Sequence, residues 1–281
     1  MRRAILGLYT YFEFFFLAVI FLIPMGVAAL LKRRTDPTMR VRGRWMRRFG
    51  RLTGALTPLW RFSVDGEGPA DIRTRGYVVV SNHESTADPF LITWLPWDMR
   101  WLAKQELFDT PIVGWLLKLS ADIPIRRGSR ESVEAMMDEC RATLRGGMPV
   151  VFFPEGTRSP DGNLLPFKDG AFQLAVETQS PILLLCIAGT RQCRPKGSAW
   201  FGDADARVRV LGRLSTKGLS LADVPRLKQE AWDRISEGAR KLRVDLAEDT
   251  ARGVRPHTVN LVLPSAEDLV QRDETTRPAS S

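Results

Sequence analysis

Residues 4–31, AILGLYTYFEFFFLAVIFLIPMGVAALL, are almost wholly apolar, interrupted by Glu13 and Pro24. A bilayer's hydrocarbon core takes roughly 20 apolar residues of helix to cross. The run therefore either spans a membrane with tilt or enters it and turns back near Pro24. The alternative is a cleaved signal peptide, with MRR as its basic start and GVA as a cleavage site. Glu13 inside the apolar stretch and the dense basic charge after it argue against export.

The formal net charge is +9, and residues 32–51 carry nine Lys/Arg against the single acid Asp36. Nearly all of the excess thus sits directly behind the apolar run. The positive-inside rule puts the bulk of the chain on the cytoplasmic side of the membrane, the inner or plasma membrane if the source is bacterial. The segment's expected partners are membrane lipids with anionic headgroups, not nucleic acid. Trp45, Phe49, Leu52 and Leu56 recur at helical spacing among the arginines. They predict an amphipathic helix that lies in the membrane interface or docks on the main domain. Cys140, Cys186 and Cys193 form no CxxC pair, and Cys140 and Cys186 fall within apolar patterns. They predict small core residues in a reducing compartment, with no disulfide framework and no metal site.

Beyond a turn cluster, DGEGP at 65–69, apolar strands alternate with amphipathic helices. Strands are expected at 76–82, from 100, at 122–127, 149–154 and 181–189, with an edge strand at 206–214. Helices are expected at 88–95, 111–120, 129–147, 169–179 and 220–249. This alternation predicts an α/β domain with a largely parallel sheet flanked by helices. The chain divides into an anchor at 1–31, a basic amphipathic segment at 32–66, a main domain at 67–250 and a polar, disordered tail at 251–281.

Ligands of such sheets bind beyond the carboxyl ends of the strands. NHESTAD (82–88) and PEGTRS (154–159) each follow a buried strand, so both should emerge on one edge. Imidazole titrates near neutrality, so His83 suits a general base. Asp88 could hold the ring through its other nitrogen, or cap the helix that begins with Asp-Pro, or do both. No G-x-S-x-G elbow and no reactive-looking cysteine supplies a nucleophile, and Ser85 is too close in sequence to His83. A base without an enzyme nucleophile points to a substrate hydroxyl attacking an activated acyl group. Gly156 allows a tight turn whose amides, with Arg158, could hold an anion such as phosphate.

Together these residues resemble the lysophospholipid acyltransferase family, which includes bacterial 1-acyl-glycerol-3-phosphate acyltransferase, over about residues 76–190. NHESTAD is similar to its N-H-x-x-x-x-D motif, and FPEGTRS looks identical to its third block. WLAKQELFDTPIVGWLLKL and ADIPIRR resemble the segments between them. Ala121 and Arg126 depart from residues common in that second block. The resemblance implies a glycerolphosphate-acyltransferase-like fold on an N-terminal membrane anchor, with His83 and Asp88 catalytic. It implies that Glu155, Gly156, Thr157, Arg158, Arg127 and Lys104 bind the acceptor. The implied reaction moves a fatty acyl group from acyl-CoA or an acidic acyl carrier protein, without a further cofactor. The acceptor is a lysophospholipid, foremost 1-acyl-glycerol-3-phosphate in phospholipid biosynthesis. Alternatives are another lysolipid such as a lyso-aminolipid, or a membrane-bound lipid hydrolase.

Overall fold

The computed structural model describes residues 2–32, 34–36, 38–126, 128–195 and 197–254, and the backbone of 259–262. The elements run α1 (Arg2–Leu31), α2 (Arg40–Leu56), β1 (Trp60–Glu67), β2 (Val78–Ser81), α3 (Asp88–Ile92), β3 (Arg100–Lys104), α4 (Gln105–Phe108) and α5 (Val113–Ser120). They continue β4 (Ile123–Ile125), α6 (Arg130–Arg145), β5 (Val150–Phe152), α7 (Gly170–Glu177), β6 (Ile182–Ala188), α8 (Thr190–Cys193), β7 (Ala204–Leu214), α9 (Val224–Ala251) and β8 (Val259–Val262).

The strands form one sheet in the order β4-β3-β5-β2-β6-β7-β1-β8. Every neighbouring pair is parallel except β6 with β7. The expected α/β architecture with a largely parallel sheet and flanking helices is therefore present. Its central strands read as unbroken apolar runs because both faces are covered. Alternate residues of β2 go to opposite layers. Val78 and Val80 pack with Cys140 and Leu144 of α6, Phe172 of α7 and Ile235 and Leu242 of α9. Val79 packs on the other face with Trp60, Phe62, Leu91, Ile92 and Trp97. Cys140, Cys186 and Cys193 are all buried. Helix α6 begins where Ser129 accepts the Ser132 N–H at 3.3 Å and ends at Gly146, close to its sequence bounds.

Helix α1 continues through Pro24 without turning back. One stripe of it is buried: Thr10, Glu13, Leu17, Ala18, Phe21, Met25 and Ala28. This period-3.6 stripe packs on Phe49 of α2 and Leu116 of α5. The Glu13 carboxylate accepts the Thr57 hydroxyl at 3.1 Å. The other face exposes large apolar side chains, among them Leu8, Phe12, Phe16, Ile23 and Leu30. By length and composition α1 could cross a membrane.

Helix α2 docks on the main domain, and much of its basic charge is used there. Arg44 and Arg47 converge on Asp98 at 3.2 and 3.0 Å. Arg42 donates to the Leu119 and Lys118 carbonyls, which satisfies the C-terminal turn of α5. Arg48 and Arg51 lie over the rings of Trp45 and Trp94. The basic segment is thus in large part a structural clamp, with fewer cations left for lipid than its composition suggests.

Three sequence expectations are corrected. Strand β1 crosses the boundary set between the basic segment 32–66 and the main domain, because Asp65, Gly66 and Glu67 extend a strand instead of turning. Strand β7 is interior, lying between β6 and β1. Its polar residues are tolerated because Arg209 pairs with Asp65 and Asp245, and Arg207 with Asp249. In the segment read as an unstructured tail, Val259–Val262 pairs with β1. Of that segment, Ala251 ends α9, and residues 255–258, including His257, and 263–281 lie outside the described residues.

Candidate active site

Strand β2 delivers the loop Asn82–Ala87 to the carboxyl edge of the sheet. Asn82 fastens it to β6 by a reciprocal pair with Ile187: its amide donates to the carbonyl at 2.9 Å and its oxygen accepts the N–H at 2.8 Å. The backbone of His83 is held from the neighbouring strand. Its N–H donates to Glu155 Oε1 at 2.7 Å, and its carbonyl accepts the Ser159 N–H at 3.0 Å. The two motifs therefore meet on one edge, as their positions after adjacent parallel strands require.

The His83 ring stacks on Phe153, with centroids 4.2 Å apart. Nδ1 lies 2.7 Å from Asp88 Oδ2. The same oxygen accepts the N–H groups of Glu84 and Ser85 at 2.8 and 3.0 Å. The Thr190 hydroxyl donates to the other oxygen, Oδ1. Asp88 is wholly buried, whereas the His83 side chain is 19% exposed. A carboxylate can only accept from Nδ1–H, so Nε2 carries the lone pair and is the atom able to take a proton.

Asp88 opens α3 but does not cap it, since its carboxylate bonds are to the preceding loop. Of the two roles left open by the sequence, only the one toward His83 is realised. No nucleophile emerges beside His83 among the described residues. Ser85 is buried, with its hydroxyl accepting the Ala87 N–H at 3.3 Å and 3.5 Å from the Arg194 carbonyl. Burial pushes the Cys140 and Cys186 thiols up to about 12 and raises Cys193 well above its ordinary value.

Glu155 departs from its expected role. It is buried, and its two oxygens accept the His83 N–H and the Leu165 N–H, the latter at 2.9 Å. Burial raises its pKa while those two N–H groups lower it. It braces the His83 loop against the loop after β5, and both oxygens are used within the protein. Gly156 makes the turn at φ +69°, and a Cβ there would lie 2.9 Å from Lys168 Nζ. Thr157 is exposed and Arg158 half-buried at the same edge, and Arg158 forms no ion pair among the described residues. Lys104 ends β3, exposed, two strands away from β2 on the same side. Arg126, past β4, donates to Gln105 Oε1 at 3.0 Å. Arg127 lies outside the described residues. No group of three or more His, Cys, Asp or Glu able to hold a metal occurs among the described residues.

The acyltransferase family model matches residues 63–188, which span β1 to β6. The chain is 34% identical over 197 residues to 1-acyl-sn-glycerol-3-phosphate acyltransferase beta of Homo sapiens, covering 69% of this chain and 68% of that protein. The chain belongs to the acyltransferase family. A second relative of the family is a chloroplastic 1-acyl-sn-glycerol-3-phosphate acyltransferase of Brassica napus, 32% identical over 65% of this chain and 52% of that one. The chain spans about half the length of the chloroplastic relatives it matches. Among solved structures, the 1-acyl-sn-glycerophosphate acyltransferase PlsC of Thermotoga maritima aligns with a TM-score of 0.69 at 26% identity. The alignment covers 86% of this chain and 98% of that one.

Four contributors to this candidate site were given no role by the sequence reading. Phe153 stacks on the imidazole, Asn82 ties the end of β2 to β6, and Thr190 bonds Asp88. Glu84 is buried beside Asp88 and pairs with Arg243 of α9 at 3.0 Å. Burial, then the Asp88 charge, raises the Glu84 carboxyl to about 7, while Arg243 opposes the shift. A glycine-threonine pair after a buried strand, Gly189-Thr190, was the available signal. It becomes informative only once β6 is known to lie beside β2.

Proposed function

We propose that this protein transfers a fatty acyl group from an acyl thioester to the free hydroxyl of 1-acyl-glycerol-3-phosphate, forming phosphatidic acid. The observation that carries the reading is the His83–Asp88 pair without an enzyme nucleophile beside it. Nε2 of His83 takes the acceptor's hydroxyl proton as the oxygen attacks the thioester carbonyl. The C–S bond then breaks, and the imidazolium returns the proton to the departing thiolate, so no acyl-enzyme forms. Asp88 stabilises the imidazolium and fixes the ring. Arg158, with Lys104, supplies the positive field for the acceptor phosphate.

The donor is acyl-CoA or an acidic acyl carrier protein. The acceptor is the one that the names of the human and Brassica napus relatives carry; a lyso-aminolipid is the competing acceptor. The outward face of α1 enters the lipid from the cytoplasmic side, with its buried face seated on α2 and α5.

The test supplies purified protein with labelled acyl thioester and a panel of lysolipids, and identifies products by mass. Phosphatidic acid formed by wild type and lost in His83→Ala, with folding and vesicle association retained, is the expected result. Near-normal turnover by His83→Ala refutes the mechanism, and free fatty acid without an acceptor favours a hydrolase.

A further inference from the structure

The Asp88 carboxylate has to hold one orientation to serve His83, and most of its bonds cannot fix that orientation. Three donors, His83 Nδ1 and the N–H groups of Glu84 and Ser85, all meet at Oδ2. They fix the place of that oxygen. The terminal torsion of an aspartate is broad and roughly two-fold, so the group could still swing about Oδ2. The second oxygen, Oδ1, accepts the hydroxyl of Thr190, 102 residues further along the chain. Thr190 is 0% exposed, as is Asp88, so bulk water does not replace that hydroxyl.

The fold places Thr190 there by a specific turn. β6 lies beside β2, and Asn82 ties the two strand ends together. Between β6 and Thr190 stands Gly189 at φ +92°, where a Cβ would lie 2.0 Å from the Asp205 carbonyl oxygen. Only glycine fits, and the left-handed turn starts α8 with Thr190 aimed back under the β2 loop.

We propose that Thr190 is a positioning residue for the His83–Asp88 pair. Its hydroxyl holds the outer oxygen of Asp88 and so sets the plane in which the carboxylate receives the imidazole. This rests on the reading of His83 and Asp88 as the catalytic pair. Loss of the hydroxyl leaves Oδ1 buried without a donor, and the carboxylate then rotates or draws in a proton, either of which loosens its hold on Nδ1–H. The other ionisable groups close to Asp88 are Glu84, paired with Arg243 of α9, Glu155 from the loop after β5, and the Cys193 thiol on α8. None of the three is removed by a change at Thr190.

The experiment compares Thr190→Val, which keeps the side-chain shape, with Thr190→Ser, which keeps the hydroxyl. His83→Ala and Asp88→Asn run in parallel, with acyl-CoA and 1-acyl-glycerol-3-phosphate in mixed micelles. A misplacement of about 1 Å at a reacting group costs on the order of 100-fold, so Thr190→Val should lower kcat by at least about tenfold. KM for both substrates should stay within about twofold, and the acid limb of the kcat–pH profile should move. Thr190→Ser should recover most of kcat and the wild-type profile. The proposal is overturned if Thr190→Val keeps wild-type kcat and pH profile per folded molecule, even with lower stability, or if Thr190→Ser is as impaired as Thr190→Val. Full turnover by His83→Ala or Asp88→Asn refutes the catalytic pair itself. Loss in those two with a normal Thr190→Val refutes only the role of Thr190.

Discussion

Glu155 separates two accounts of one motif position, and its replacement distinguishes them. As an acceptor-binding residue it would affect KM; as the brace seen between His83 and Leu165 it should affect stability and kcat. Glu155→Ala removes the acceptor from two backbone N–H groups, at 2.7 and 2.9 Å. A buried donor left unsatisfied costs about 1–3 kcal/mol, and more toward the upper end where the lost acceptor was charged. Two donors give about 2–6 kcal/mol. The carboxylate's own burial, which raises its pKa, offsets part of this, and a water admitted to the vacated space can satisfy one donor. The net expectation is a loss of about 3 kcal/mol. Glu155→Gln keeps the size and one oxygen but turns an NH2 group toward a donor, so an intermediate loss is expected. Because the brace sets the height of the His83 backbone, kcat should fall on the order of 100-fold while the acceptor KM changes little. Denaturant unfolding in detergent and steady-state kinetics on the same preparations read both effects. A Glu155→Ala variant of wild-type stability whose only defect is a raised acceptor KM refutes the brace.

Three further outcomes are expected. Glu84 is raised from 4.5 to about 7 and Asp122 from 3.8 to about 6, both chiefly by burial. Each is protonated in the fold while already ionised in the unfolded chain, so stability is greatest below about pH 4 for this contribution and declines as pH rises to about 7. For Glu84 the change is about 3 kcal/mol at 1.36 kcal/mol per unit, and Glu84→Gln should flatten the urea-unfolding stability between pH 5 and 8; identical slopes for the two proteins would contradict this. Gly156→Ala meets both a positive φ and the Lys168 ammonium; it should cost about 1–2 kcal/mol and lower kcat/KM for the phosphate-bearing acceptor, and unchanged kinetics would argue against a tight turn at that position. Replacing Phe12, Phe16 and Ile23, which are 66%, 54% and 72% exposed, together by serine should reduce vesicle co-flotation without lowering Tm; a falling Tm with intact flotation would mean that this face packs on protein.

Much of this molecule is written locally. Short unbroken apolar runs such as YVVV and VVFF can only be doubly covered strands, and the amphipathic period of 129–147 can only be a helix on one of their faces. Two polar clusters placed straight after such strands must appear on one edge, because parallel strands end on the same side. That reasoning identified His83 and Asp88 and the loop around Arg158. Asp65, Gly66 and Glu67 end a strand although DGEGP at 65–69 predicts a turn, because Gly and Asp in a strand look like a turn until the partner strand is known. The interior place of β7 depends on Asp65, Asp245 and Asp249 arriving from other elements to neutralise Arg207 and Arg209.

The sequence by itself determined the layered α/β class, the apolar segment and the placing of His83 and Asp88 straight after a buried strand, since each follows from periodicity or from residue type next to a strand. Tertiary structure alone decided which groups surround His83. Whether Asp88 caps a helix or holds an imidazole depends on where its two oxygens point, and Glu155 binds substrate or backbone according to what stands opposite it. Thr190 enters only because β6 is laid beside β2. Such assignments turn on distances between residues tens of positions apart, and hydrogen bonds weaken steeply over a fraction of an ångström and a few tens of degrees, a scale that no local pattern encodes.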